Sequence, residues 1–540
     1  MRVISLIGFF IILSLAWLVS FNRRDVKLRP VIWGIALLLI LAIIIFRQDA
    51  LSFVGMTLLA LLVIVYLLER TAENQQQKWQ WRIFVVVGAL LVGALSLLLP
   101  TRFLIIGFFV LIPILLINGR FKLLPNAQKY ASALLIIFAT ASLIKQNLHG
   151  NQLFQIIGDK ITSFLNLSDY GARFLFGNLA DPQYYFPNAE TNWPGLGFLV
   201  AFKVLPVIIF FSALMALLYY LGIMQSVLAA VSRFVCWTTG TSGAETLVCT
   251  ANIFIGQTEA PLLIRPYMDG LTNSEVVTVM LAGFATMAGS TLGVYGAFGI
   301  PIQHILAASV LSAPAALVIA KILFPEKEHP QTAGDVEIPK VHVGANVFEA
   351  LANGIGDGLK LAANVGAMLI GFIALVAALD SLFSLCDYWI DGRLLGGEHI
   401  DYAVRGLTPV NGEYVGIFPG SLQTLFGTIM RPVAWLIGVQ WSEAAQVGNL
   451  IGIQLSLNEF IAYGTLGGYI RAGAISERSM ILTTYAICSF ANFSSIGIQI
   501  GGLSALVPGR KKDFARFALR AMFGGAMASW LTAALAGMLL

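Results

Sequence analysis

The chain has 540 residues, 58% of them hydrophobic and 11% charged, with a formal net charge of +5 from 33 basic and 28 acidic side chains. Soluble domains carry about 25% charge, so this balance excludes an ordinary water-soluble enzyme or binding module and points to a polytopic membrane protein. The basic excess is gathered in short loops, where it reports topology and gives no reason to expect a nucleic-acid partner.

The first apolar window, 4–20, lacks a small-x-small cleavage site and runs straight into the basic stretch FNRRDVKLRP. It is therefore expected to stay as a membrane helix and not to leave as a signal peptide. Further windows at 31–46, 51–68, 83–99, 103–117 and 131–145 are long enough, or nearly so, for a hydrocarbon core of about 30 Å. Arg23, Arg24, Lys27 and Arg29 lie in the first loop, Arg70, Lys78 and Arg82 in the third, and Arg120, Lys122 and Lys129 in the fifth. Alternate loops are thus predicted on the cytoplasmic side. Residues 151–178 mix polar and apolar side chains at helical spacing and read as a helix lying along the interface. Spans are expected at 197–222, 274–299, 303–324, 360–384, 480–507 and 517–540, with a hydrophilic loop at 325–344 and an amphipathic stretch from 345. Arg510, Lys511, Lys512 and Arg516 mark one more cytoplasmic loop.

Two regions resist a simple crossing. From Ala244 to Ile255 the first has 12 apolar-rich residues, which at 1.5 Å each reach about 18 Å, half a membrane. Gly256 then interrupts, Thr258 is expected to cap, and Pro261 suits the first turn of a short returning helix. The second region repeats the plan with an arm from Glu443 to Gln454, a polar interruption at Ser456–Asn458 and a second arm from Glu459. Each is followed by a span with polar residues at its middle, LAGFATMAGSTLG and ICSFANFSSIGIQ. If both dip in and return, matching pieces of the two halves have opposite orientation, as in inverted-repeat secondary transporters. The predicted fold is an all-α polytopic membrane protein of inverted repeats with two re-entrant helical hairpins and broken transmembrane helices.

A carboxylate at the bilayer centre costs about 2.5–3.5 kcal/mol on insertion scales, so Glu259 and Glu459 at the two hairpin tips need partners, water or a ligand. One reading pairs them with Lys203 or Lys360. The other places them at helix breaks, where free amides and carbonyls face a cavity. Asn492 and Ser495 lie three apart on one helical face, with Ser489 a further turn back; with Glu459 they suit a small polyhydroxylated solute. Ser494 reads as a serine that only bonds back to its preceding turn or glues helices together. Asn252 with the carbonyl of Ile255, and Thr286 with the carbonyl of Met287, offer oxygen ligands to a hard cation such as sodium. The five histidines and four cysteines fall singly, no Walker-type phosphate loop is present, and GTSGAET has no strand context for a nucleophile elbow. No enzyme is read here.

At NIFIGQTEAPLLIRPY, LSLNEFIAY and SFANFSSIGI the sequence resembles the concentrative nucleoside transporter family, in motif order and separation, over roughly residues 1–46 and 151–540. The resemblance implies a homotrimer in the cytoplasmic (inner) membrane, each protomer binding nucleosides such as uridine, cytidine and adenosine. Gln257, Thr258 and Glu259 are implied to read the base, with Thr291 near its edge and Phe490 against it. Glu459, Asn492 and Ser495 are implied to hold the ribose, and Asn252, Ile255, Thr286 and Met287 to hold sodium. Proton-coupled relatives tend to lack the asparagine. Gly256 stands where serine accompanies pyrimidine preference, which implies both purine and pyrimidine uptake. Thr291 departs from the family, where an apolar residue is common. The implied organisation is N-terminal scaffold helices at 1–46, an insertion of further membrane helices at 47–150, a first repeat at 151–324, a cytoplasmic loop at 325–344 and a second, inverted repeat at 345–540. The expected function is sodium-coupled nucleoside uptake by alternating access. The alternatives are a proton-coupled symporter and a nucleoside-binding membrane receptor that does not cycle.

Overall fold

The structure, a computed structural model, describes residues 1–69, 75–121, 125–185, 199–334, 336, 344–397 and 416–540. Among these every regular element is helical, with no strand. Arg70, Lys122, the first two residues of the span expected at 197–222, and residues 335 and 337–343 of the hydrophilic loop lie outside the described residues. Seven described helices are long and apolar enough to cross a membrane, as the composition requires. The chain divides into two compact units, Ala36–Ile156 and Met1–Ile35 with Ile157–Met538.

After α1 (Arg2–Leu18) and α2 (Leu28–Phe46), the first of these units is built on α3 (Ala50–Leu67), α4 (Gln75–Leu98), α5 (Thr101–Phe121) and α6 (Pro125–Lys145). Asp49 starts α3 by accepting the Leu51 amide at 3.2 Å, and Arg47 pairs with its carboxylate. Ser52 donates to the Ile44 carbonyl at 3.3 Å, fixing the turn between α2 and α3. Helix α4 begins two turns before the apolar window at 83, because Gln75–Arg82 carries good helix formers and Trp81 donates back to the Leu68 carbonyl at 2.8 Å.

Next in the chain, the interfacial stretch resolves into α7 (Gly150–Leu165) and α8 (Ser168–Phe176), and α9 (Val200–Lys203) leads into α10 (Leu205–Tyr220). Helix α11 (Ile223–Thr239) has no counterpart among the expected elements. Its apolar residues share one face while Gln225, Ser226 and Arg233 interrupt the run, so it never forms a long apolar window. Gly222 and Gly240, at φ +75° and +71°, permit the turns at its ends.

The two hairpin regions each make a helix, a break and a returning arm. In hairpin 1, α12 (Gly243–Ala251) is followed by a broken turn and a 3₁₀ segment, Ala260–Gly270. Thr258 does not cap this arm, and the arm is not α-helical, a correction explained by Pro261 and Pro266, which remove backbone donors from it. Next come α13 (Asn273–Ala285), a break, α14 (Leu292–Ala297) and α15 (Ile302–Leu323). Both ends of hairpin 1 meet at Lys321, whose Nζ lies 2.6 Å from Glu245 Oε2 and donates to Ser274 Oγ at 2.9 Å. Ser242 with Glu245, and Thr272 with Glu275, form reciprocal capping boxes at the starts of α12 and α13. Thr332 ties them together, its carbonyl accepting from the Gly243 amide at 2.8 Å and its hydroxyl donating to Glu275.

The amphipathic stretch from 345 and the span at 360–384 are one continuous helix, α16 (Val347–Asp387, 41 residues), where the sequence suggested two elements. Asn346 caps it by accepting the Glu349 amide at 2.9 Å, no proline interrupts it, and the turn-prone Asn353-Gly354 and Asp357-Gly358 pairs stay helical within it. Gly354 and Gly358 let it lie against α10: a Cβ at either would approach a backbone Cα, of Ala213 or Ile209, to within 2.9 Å. A second unanticipated helix, α17 (Leu422–Leu436), starts at the Ser421 cap and packs along α18 (Ala444–Ser456).

Hairpin 2 consists of α18 and α19 (Glu459–Arg471), joined through Leu457 and Asn458. Asn458 caps the second arm, accepting the Ile461 amide at 3.0 Å. Asn449 donates to the Tyr469 hydroxyl at 3.1 Å; these residues lie on either side of the turn, so the arms are antiparallel. At the base, the Glu443 carboxylate accepts from the Ser476 amide at 3.2 Å and its hydroxyl at 2.8 Å. Ser476 caps α20 (Glu477–Ala486), which is followed by a break, α21 (Phe493–Leu506) and α22 (Lys511–Leu539). In both halves the hairpin base is therefore bonded to the start of the broken helix that follows it.

Candidate functional site

A helix break frees amides and carbonyls that have no water to turn to, so each must find a partner. After α13, Thr286 turns to extended geometry, and the chain re-enters helix only at Gly289. The Gly289 amide donates to the Phe254 carbonyl at the tip of hairpin 1, at 3.2 Å. A Cβ at Gly289 would collide with that carbonyl, so glycine is required by the close approach. The Thr286 carbonyl accepts from the Phe490 amide at 3.0 Å, which joins the first broken helix to the second.

The second break, between Ala486 and Phe493, is held by hairpin 2. Gln454 Nε2 lies 3.0 Å from both the carbonyl and the hydroxyl of Ser489 and 3.1 Å from the Ala491 carbonyl. Asn492 is the cap of α21, its Oδ1 accepting from the Ser495 amide at 2.8 Å and the Ser494 hydroxyl at 2.7 Å. Its Nδ2 donates to Glu459 Oε2 at 3.2 Å, and the Tyr295 hydroxyl stands 3.5 Å from Glu459 Oε1. Glu459 is buried and has no ion-pair partner among the described residues. Hairpin 1, the two breaks and hairpin 2 are thus linked by one run of hydrogen bonds.

Asn252 ends α12 fully buried, and neither polar atom of its side chain has a hydrogen-bond partner among the described residues. Thr286 and Met287 are equally buried, and the Thr286 hydroxyl donates back to Ala282 at 2.9 Å, leaving its lone pairs available. An unpartnered buried amide beside a helix break is costly unless something completes it. Asn252, Ile255, Thr286 and Met287 supply only oxygen donors of the neutral kind, a set that fits a hard monovalent cation.

The tip of hairpin 1 divides its side chains between two surroundings. Gln257 is buried against Gly283 of α13, where a Cβ would come within 2.9 Å of its own, and its Oε1 has no partner among the described residues. Thr258 lies beside Gly502 of α21. Thr291 is buried, its hydroxyl donating to Ala288 at 2.7 Å. Glu259 lines a cavity of about 570 Å³ together with Ile255, Gly256 and residues of α10 and α16. Gly256 has only the Ala288 methyl, at 3.5 Å, near the position of an added Cβ.

One expectation changes, and two open alternatives are decided. Asn492 does not share a helical face with Ser495, because the helix is broken there and Asn492 caps its second half in extended geometry. Of the two readings of Ser494 the structure has the second: it bridges Asn492 to the Leu457 carbonyl at 3.2 Å, closing the second break onto the tip of hairpin 2. Neither glutamate pairs with the lysines considered, since Lys203 pairs with Asp169 at 2.6 Å and Lys360 with Asp357 at 3.5 Å. Gln454, Gln499 and Tyr295 were not singled out from sequence. The two glutamines carried a usable signal, a strong hydrogen-bonding group inside an apolar half-helix; Gln499 uses it to donate to the Met280 carbonyl at 2.8 Å. Tyr295 carried none, since an aromatic residue in a span reads as packing.

Comparison with known proteins matches three family models in chain order: the sodium-dependent nucleoside transporter N-terminus over residues 7–64, nucleoside recognition over 201–301, and the sodium-dependent nucleoside transporter C-terminus over 304–537. An uncharacterized transporter of Haemophilus influenzae is 37% identical over 80% of this chain and 96% of its own length. The nucleoside permease NupC of Helicobacter pylori is 36% identical over 82% and 98%. Sodium/nucleoside cotransporter 1 of Mus musculus is 41% identical over 72% of this chain and 56% of its own. Among solved structures, CNTnw in an inward-facing substrate-bound state superposes with a TM-score of 0.68 at 29% identity, covering 99% of this chain and 98% of that one. An outward-facing state of a CNTnw variant gives 0.72 at 27% identity, covering 100% and 98%. The likeness therefore spans the whole helical architecture, and with it a multi-pass inner-membrane location.

Proposed function

Because this chain belongs to the concentrative nucleoside transporter family, and is therefore a membrane transporter of nucleosides and not an enzyme, we propose that it takes up both purine and pyrimidine nucleosides, among them uridine, cytidine and adenosine, coupled to sodium. The observation that carries the coupling is the bond from the Phe490 amide to the Thr286 carbonyl. It joins the break of the first broken helix, which itself bonds the tip of hairpin 1 through Gly289, to the break that Asn492 and Glu459 complete, so order on one side favours order on the other.

In this mechanism the ribose is held by Glu459, Asn492 and Ser495. The Glu459 carboxylate accepts from sugar hydroxyls, while the Asn492 amide keeps that carboxylate oriented at 3.2 Å. The base lies toward Gln257, Thr258, Thr291 and Phe490, with Glu259 at its margin. Asn252, Ile255, Thr286 and Met287 would hold sodium. When bound, sodium supplies a positive charge, and one charge crossing 100 mV is worth about 2.3 kcal/mol, roughly a 50-fold concentration ratio. Each hairpin is bonded at its base to its broken helix and at its tip to a break, which supports both hairpins dipping into the membrane and moving with those helices as one body against α10 and α16. The homotrimer and the division into scaffold, insertion and two inverted repeats, with bounds at 46, 150, 324 and 344, belong to the same proposal.

The test is uridine accumulation in proteoliposomes with sodium replaced by choline at fixed pH. Accumulation is expected to vanish without sodium. Undiminished accumulation that instead follows an imposed proton gradient would overturn sodium coupling, and binding without counterflow would leave a receptor.

A further inference from the structure

A cavity of about 350 Å³ opens at the start of hairpin 1 and lies wholly within the larger compact unit. Its volume falls at the lower end of the ~300–1,000 Å³ of small-molecule sites. None of its lining residues takes part in the ribose, base or sodium contacts proposed above. The first loop and the loop from 325 both border it, and the sequence assigns both to the cytoplasmic side. Lys27 and Arg29, at the entry of α2, are its exposed cations; Ser242, Glu245 and Lys321 are its buried floor. The Arg29 guanidinium covers Gly240, where an added Cβ would come within 2.9 Å of its Cζ, and Nη2 donates to the Trp237 carbonyl at 2.9 Å. Neither Lys27 nor Arg29 has a carboxylate partner among the described residues. The nearby acid, Glu326, is answered by neutral donors, the Thr272 hydroxyl at 2.7 Å and the Glu328 amide at 3.0 Å.

On the floor, Lys321 Nζ stands 2.6 Å from Glu245 Oε2, with the two side chains 5% and 2% exposed. The contact is an ion pair without a directed hydrogen bond, since Glu245 Oε2 has no hydrogen-bond partner among the described residues. A buried acceptor left in that condition is costly unless a donor completes it. The amides of the first turn of α12 are already spent: Ser242 donates to Glu245 Oε1, Gly243 to the Thr332 carbonyl and Glu245 to Ser242 Oγ. Side chains, and not a helix end, therefore define what the cavity can hold.

We propose that this cavity binds a phosphate carrying hydroxyl groups, of the glycerol phosphate class, with the phosphate at Lys27 and Arg29 and a hydroxyl donating to Glu245 Oε2. Two cations without a carboxylate partner suit a phosphate through charge-assisted hydrogen bonds. A bare phosphate dianion has no donor for Glu245, and an amine would set a second ammonium against Lys321. A hydroxyl satisfies both, because it donates to Oε2 and accepts from Lys321, whose contacts to Glu245 and Ser274 leave one N–H over. This chemistry has two sources, a free polyol phosphate in the cytoplasm and the headgroup of phosphatidylglycerol in the inner leaflet; basic pockets between cytoplasmic helix ends take lipid headgroups. Either occupant reaches from the entry of α2 to the first turn of α12 and fastens the first loop to the base of hairpin 1.

The experiment uses the full-length protein in phosphatidylcholine nanodiscs. Glycerol 3-phosphate is titrated by calorimetry, and nanodiscs in which phosphatidylglycerol or phosphatidylserine replaces part of the phosphatidylcholine are compared by native mass spectrometry for retained lipid. Saturable binding of glycerol 3-phosphate assigns the free phosphate, and retention of phosphatidylglycerol over phosphatidylserine assigns the headgroup; either supports the site. Lys27→Gln combined with Arg29→Gln is expected to weaken that binding about tenfold or more. Lys27→Gln alone alters an exposed side chain and so keeps the fold; it is expected to weaken binding about threefold. Inorganic phosphate binding as tightly as glycerol 3-phosphate would overturn the hydroxyl contact with Glu245, and with it the ligand class. Retention of neither probe, or binding unchanged in both variants, would overturn the site. Neither nucleoside nor sodium enters these measurements, so their failure leaves the transporter reading standing.

Discussion

Glu459→Gln isolates charge from shape at the centre of the network. The substitution keeps the side-chain volume and one acceptor, but replaces a carboxylate that accepts from Asn492 at 3.2 Å and faces the Tyr295 hydroxyl at 3.5 Å. Hydrogen bonds to a charged group are worth about 1.5–3 kcal/mol, so losing one such bond to a ribose hydroxyl predicts a nucleoside Kd higher by roughly 10- to 150-fold. Stability should move the other way or not at all. A buried carboxylate without an ion-pair partner is costly at membrane depth, and the amide relieves that cost while Asn492, Ser494 and Ser495 keep the cap of α21. Uridine titration by isothermal calorimetry, paired with thermal unfolding of the same preparation, separates the two effects. A variant that binds uridine normally would refute the ribose role of Glu459, and one that loses binding and unfolds earlier would make the residue structural.

Asn252→Ala removes an unpartnered buried amide and should raise the sodium concentration needed for half-maximal uptake by tenfold or more, read from sodium titration of uptake, while thermal stability holds within about 1 kcal/mol. Gly256→Ser is sterically admissible, since the new Cβ meets only the Ala288 methyl at 3.5 Å; it should fold normally and lower adenosine uptake relative to uridine. Lys321→Met strands Glu245 and should cost about 3–5 kcal/mol, seen as a lower Tm, and Lys321→Met with Glu245→Met should recover most of it, because a buried ion pair stabilises less than its rupture destabilises. Gln454→Leu leaves the Ser489 and Ala491 carbonyls of the second break unanswered and should destabilise by about 1–3 kcal/mol, with thermal unfolding as the readout.

Much of the architecture was legible in one dimension. The arms of hairpin 2 follow the polar interruption at Ser456–Asn458 closely, because an asparagine cap and an apolar run are local signals. Helix α11 leaves no such signal because Gln225, Ser226 and Arg233 cut its apolar face into runs too short for a membrane window. Helix α16 was divided because a change from mixed to apolar composition resembles a boundary, whereas the Gly354 and Gly358 contacts with α10 let one helix run through it. Which of its two readings Ser494 takes is likewise not local: its bond to Leu457 crosses 37 residues, a distance that no local pattern encodes.

The amino-acid sequence on its own determined that the chain is a helical membrane protein with polar groups at mid-span. It did so because the cost of burying charge in hydrocarbon leaves Glu259, Glu459, Asn252 and Asn492 conspicuous. Only the tertiary structure decided which of these groups meet: Glu459 with Asn492 and Tyr295, Thr286 with Phe490, and Glu259 with the cavity beside α10 and α16. The physical reason is that a helix break sets backbone donors and acceptors free without naming their partners, and those partners are chosen by the packing of elements far apart in the chain.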